Sequence, residues 1–152
     1  MPLQGMDKVK KMIAKNKRDA NENIKGVYLS GLQNIISETP ADTGVHRNNW
    51  FLTVGHPSGL FGRDGNKSGG GSEASLAKMP DWVLNKKIYL TNNGPGITSL
   101  EYGGFPDPVK KGSYIKKTGK YEILSAGGFS KQAPGGWVRR LLKSMAKKVK
   151  TL

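Results

Sequence analysis

The chain has no cysteine and only two histidines, His46 and His56. Without cysteine there is no disulfide, no thiolate metal site and no thiol nucleophile, and such a chain suits folding in a reducing cytosol. Neither histidine stands in a metal-binding spacing such as H-E-x-x-H. No run approaches the ~20 apolar residues of a membrane span. The charges near the start precede no apolar stretch, so no signal peptide is expected, and the expectation is a soluble chain with no membrane partner. Acids are scarce, 11 against 25 lysines and arginines in 152 residues. They are scattered singly, so no local spacing presents two carboxylates together. No serine has a G-x-S-x-G context, and the 21 glycines include no G-x-x-x-x-G-K-[ST] loop. The expectation is therefore no enzyme, no cofactor and no metal.

What is abundant is positive charge, a formal +14, and a field of that sign attracts polyanions. It is unevenly spread. Lys8, Lys10, Lys11, Lys15, Lys17 and Arg18 crowd the first segment, and Arg139, Arg140, Lys143, Lys147, Lys148 and Lys150 the last. Lys110, Lys111, Lys116, Lys117 and Lys120 crowd a middle stretch, and Tyr114 and Tyr121 there come closest to the basic and aromatic interleaving of nucleic-acid binders. No helix-turn-helix, zinc-finger or RNP signature accompanies them, so the pattern supports non-specific phosphate attraction at most.

Length fits one domain spanning 1–152. Ile24, Val27, Tyr28, Gly31, Leu32, Ile35 and Ile36 recur at helical spacing, and Pro40 ends that helix near Thr39. Met6 to Asn23 is strongly polar, so residues 1–22 are expected as a protruding or frayed basic helix. Gly31 marks either close packing or a break. Asn49 to Gly55 reads as a strand, rich in aromatic and β-branched residues. Trp82 to Thr91 reads as one strand or two, stopped by Asn92-Asn93-Gly94-Pro95-Gly96. Ser99 to Tyr102 suggests one helical turn and Tyr121 to Leu124 a short strand. Val138, Leu141, Leu142, Met145 and Val149 form the apolar stripe of a terminal amphipathic helix. The fold class is thus α+β: a small, mainly antiparallel sheet packed by a long N-terminal and a C-terminal helix. Two long stretches, 56–80 and 106–120, are expected as mobile loops, because glycine, serine and lysine runs bury little apolar area.

Three segments stand out. Thr39-Pro40-Ala41-Asp42-Thr43-Gly44 leaves the first helix and runs through Arg47 to Trp50. The second leads from Asn92 through Glu101-Tyr102-Gly103-Gly104, and the third, Gln132 to Arg139, includes Pro134, Gly136 and Trp137. Asp42 could accept backbone N–H bonds in a tight turn, with Gly44 at positive φ. That turn serves either as a plain helix-to-strand connection or as a partner contact. Arg47 is expected to pair with Asp42 or Glu101, Trp50 and Trp137 to anchor the core or a subunit contact, and Gly103 to mark a close backbone approach.

In this order and spacing the segments resemble the neck or tail-completion family of tailed phages. Its members show a TPVDTG-x-L/A-R-x-S/N-W stretch, then an N…Y…E-[YF]-G stretch, then an aP-x-g-f/m opening to the last helix. Here Val45-His46 replaces the commoner pair before the arginine, and the tyrosine expected before the E-Y-G stretch is absent. The resemblance covers about residues 20 to 150. It implies a structural virion protein at the head–tail interface, assembled in the host cytoplasm. Its partners would be further copies of itself in a ring, a hexamer being the candidate count, and head-connector and tail-tube proteins. DNA would pass through the channel. A tail terminator is the sibling reading, and a basic non-specific nucleic-acid-binding protein the alternative of another class.

Overall fold

The computed structural model describes residues 4–104, 114–115, 117, 120–121 and 127–152. One helix, α1 (Gln4–Glu38), occupies 35 residues, roughly 50 Å at 1.5 Å per residue. A single turn, α2 (Val45–Asn48), leads into strand β1 (Phe51–Val54). Helix α3 (Gly70–Ser75) runs into a 3₁₀ turn at Leu76–Lys78. Strand β2 (Ile88–Thr91) and helix α4 (Ile97–Tyr102) follow. A small hairpin pairs β3 (Tyr114–Ile115) with β4 (Lys120–Tyr121). Helix α5 (Val138–Lys150) is last. β1 and β2 are antiparallel, with Phe51 opposite Thr91 and Val54 opposite Ile88. The architecture is α+β, with the described strands in two separate two-stranded antiparallel ladders.

The apolar stripe of α1 explains where the core sits. Leu32, Ile35 and Ile36 are buried with Trp50, Leu52, Leu76, Val83, Leu100, Trp137 and Leu141, so α1 supplies one wall and α5, β1 and α4 close around it. Gly31 belongs to close packing and not to a break. A Cβ there would fall 2.3 Å from Met145 Sδ of α5, and the helix runs on through it. From Gly5 to Ala20, by contrast, every residue of α1 is exposed.

Two expectations change. The stretch expected as a mobile loop at 56–80 contains α3 and the 3₁₀ turn, with Ser72, Ser75 and Leu76 buried. Apolar content underrates it, because polar side chains hold it. Asn48 donates to Asp64 O at 2.8 Å and accepts from Gly71 N at 2.7 Å. Asn49 accepts from the N–H groups of Gly62 and Arg63 at 3.0 and 2.9 Å. Arg63 lies 3.9 Å over the Phe51 ring and donates to the carbonyls of Asn48 and Trp50. The second change is at Trp82-Val83-Leu84, which is not a strand. Asn21, buried in α1, accepts from Val83 N at 2.7 Å and donates to Asp81 O at 2.8 Å, which spends the backbone groups that a strand would need. The expected loop at 106–120 and the expected strand beyond Tyr121 lie largely outside the described residues.

Candidate functional site

The three sequence segments meet at the C-terminal end of α1. Thr39 follows the last helical residue, and its hydroxyl donates to Ile35 O at 2.7 Å. The indole N–H of Trp50 donates to that same hydroxyl at 2.9 Å. The indole N–H of Trp137 donates to Ile35 O at 2.9 Å. A helix leaves its last carbonyls without intrahelical donors, and here the Thr39 hydroxyl and the Trp137 indole both donate to Ile35 O while Trp50 fixes the hydroxyl. All three residues are buried, so an unmade bond would leave a desolvated polar group.

The second and third segments lock through Glu101. Its buried carboxylate accepts the backbone N–H groups of Trp137 and Val138 at 2.8 Å and of Arg139 at 3.0 Å. These are the unsatisfied donors of the first turn of α5, where the helix dipole favours an anion. Arg139 Nε adds a bond at 2.9 Å, and its guanidinium lies 4.5 Å over the Tyr102 ring. Burial alone would raise the Glu101 pKa, but the bonds from Arg139, Trp137 and Val138 outweigh it and hold the carboxyl below its ordinary value. Gly136 must lack a side chain here. Its φ is +80°, and a Cβ would fall 2.3 Å from Glu101 O.

The first and third segments lock through Gln132, whose amide accepts from Ala41 N at 2.8 Å and donates to Ala41 O at 3.4 Å. The first and second meet where Asn92 donates to His46 O at 2.8 Å. Burial pushes the His46 pKa down, and its Nδ1 has no hydrogen-bond partner among the described residues. Between the first and third segments lies a cleft of about 410 Å³, whose lining includes Arg47, Gln132, Pro134, Trp137 and Arg140. Arg140 pairs with Glu38 at its rim.

Other singled-out residues behave differently from expectation. Asp42 is exposed, and its carboxylate takes no backbone N–H among the described residues. The turn is tied instead by Thr43 Oγ1, which accepts from Val45 N at 3.4 Å. Gly44 has φ +83°, and a Cβ there would fall 2.3 Å from Asn66 C. Arg47 pairs with neither Asp42 nor Glu101. It donates to Thr39 O at 2.9 Å and Lys67 O at 2.7 Å, because the helix end and the 62–71 stretch offer uncapped carbonyls closer by. Gly103 is a close approach as expected, with a hypothetical Cβ 2.6 Å from Gly127 O. Tyr102 and Pro134 are exposed. Lys110, Lys111 and Lys116 lie outside the described residues, Lys117 is exposed in a turn, and Lys120 belongs to β4.

Sequence reasoning passed over Thr39, Asn48, Asn49 and Gln132 as site residues. A hydroxyl residue just past a helix end was a readable signal for Thr39, but the long-range partners of the amides were not. Among the described residues no group of three or more histidines or carboxylates is placed to hold a metal ion. The chain matches no protein-family model, no curated protein and no solved structure to which it was compared.

Proposed function

We propose that this chain is a structural virion protein of a tailed phage, acting at the head–tail interface as a neck or tail-completion subunit. The observation that supports the reading is the convergence of the three segments on one end of α1. Residues as far apart as Thr39, Glu101 and Trp137 resemble a family pattern as a set, and they also work as one physical unit. A pattern with a shared mechanical cause is more specific than three short matches taken separately. The unit holds helices and turns in fixed relation, which is what a subunit bearing load between neighbours requires. Further copies in a ring, the head connector and the tail tube are its proposed partners.

An early stop codon in this gene of the parent phage tests the proposal. Electron microscopy of the lysate is expected to show full heads beside unattached tails. Over-long tails would assign the terminator role instead, and normal joined particles would overturn both. The nucleic-acid reading draws on the six basic residues of the exposed half of α1. It requires tight DNA binding whose logarithm falls with log salt at about −0.9 per phosphate neutralised.

A further inference from the structure

The two edges of the β1–β2 ladder are treated differently. On the outer side of β1, Trp50 N donates to Ser72 Oγ and Leu52 N to Ser75 Oγ, both at 2.8 Å. Those N–H groups therefore point away from β2. Strand residues alternate, so Phe51 and Thr53 face β2, and Gly55 N bonds Lys87 O at 2.8 Å in the same phase. It follows that Tyr89 and Thr91 face β1, while the N–H and C=O groups of Ile88 and Leu90 point outward from β2. No hydrogen bond reaches those outward groups among the described residues. A groove of about 460 Å³ runs along this open edge. Its lining takes in Lys86 and Lys87 just before the strand, Ile88 and Tyr89 of β2 itself, and Tyr28, Leu32, Leu142 and Met145 of the two helices. Two exposed lysines, Lys86 and Lys87, line it, and among the described residues no acid does.

We infer that the outer edge of β2 is a docking site for an extended strand of a partner protein, with apolar residues at alternate positions and acidic residues at its flanks. Each part of that description answers a feature of the edge. Unpaired outward backbone groups are satisfied by an added strand. Alternate side chains of a strand point to one face, so apolar ones enter the groove. The lysines, in a chain of formal charge +14, select acids at the flanks and disfavour a second copy of this basic chain. The covered β1 edge leaves β2 as the side on which this sheet can grow. The inference does not rest on the head–tail reading, since the same edge would serve a chain of another role.

A synthetic peptide, Asp-Glu-Val-Thr-Val-Thr-Val-Glu-Asp, probes the site in the intact protein by NMR and amide exchange. Binding is expected to slow exchange of the Ile88 and Leu90 amides specifically. The same peptide with lysine flanks is expected to bind at least tenfold more weakly. Leu142→Asp changes an exposed groove residue and is expected to weaken binding at least tenfold, with thermal unfolding unchanged as the check on folding. Unprotected Ile88 and Leu90 amides, or equal binding of the lysine-flanked peptide, would overturn the inference. So would protection that appears without peptide as protein concentration rises, which would assign the edge to a second copy.

Discussion

The two halves of α1 are one continuous helix with opposite circumstances. From Asn21 onward the helix is anchored. Asn21 holds the 81–84 stretch, Gly31 meets Met145, and Ile35 receives Thr39 and Trp137. From Gly5 to Ala20 none of the described residues covers it, and Met6, Val9, Met12 and Ile13 are exposed beside six lysines and arginines. An isolated helix of that length is marginal in water. The outer half is therefore held helical by continuity with the anchored half. Packing, more than propensity, decides which half carries stability.

The sharpest way to break the comparison is at the anchor. Trp137→Ala removes a side chain that is 1% exposed, together with its bond to Ile35 O. The expected cost is about 3–5 kcal/mol, a large part of a typical domain's stability, read by denaturant unfolding. Glu101→Gln keeps the shape but removes the charge that caps α5. A loss of about 2 kcal/mol at neutral pH is expected, since hydrogen bonds to charged groups are worth ~1.5–3 kcal/mol. The Glu101 pKa is lowered on folding, so its contribution is whole above the unfolded carboxyl's pKa and is lost as pH falls through the folded value. Unfolding curves of the wild type and of the Glu101→Gln variant should therefore converge in acid. A gap that stays constant with pH would mean that the carboxylate's charge plays no part.

The smallest effect belongs to the outer half. Ile13→Ser, at a site 49% exposed, is expected to change unfolding free energy by less than about 0.5 kcal/mol. Amide exchange along α1 sharpens the contrast, with protection expected to fall from Asn21 toward Gly5. Uniform protection along the whole helix would show that the outer half is covered in solution.

The legibility of the fold divides along similar lines. Helical periodicity was enough for α1 and α5, and aromatic and β-branched composition for β1 and the Ile88–Thr91 strand, though it also drew in Trp82–Leu84. The 56–80 stretch was misread because what orders it is not apolar. Asn48 and Asn49 bind backbone groups in it, and its own Arg63 binds the carbonyls of Asn48 and Trp50, across 13 to 23 positions. The candidate site was half legible. Its glycines and tryptophans stood out by type, but the assignment of Arg47 to an acid failed. Charge pairs are easy to imagine from sequence, whereas nearby uncapped carbonyls are not.

By itself, the sequence determined the two long helices, the main strand pair and the fold class. Helical spacing, strand composition and the proline and glycine stops act over short range, and they also specified a basic chain without cysteine chemistry. Only the tertiary structure decided that Glu101 caps a helix 36 residues further on, that both indoles close the end of α1, and that one sheet edge is plugged while, among the described residues, the other stays open. Those outcomes depend on which backbone groups are left without partners once the elements have packed. That is a property of the assembled chain, and no local window of residues carries it.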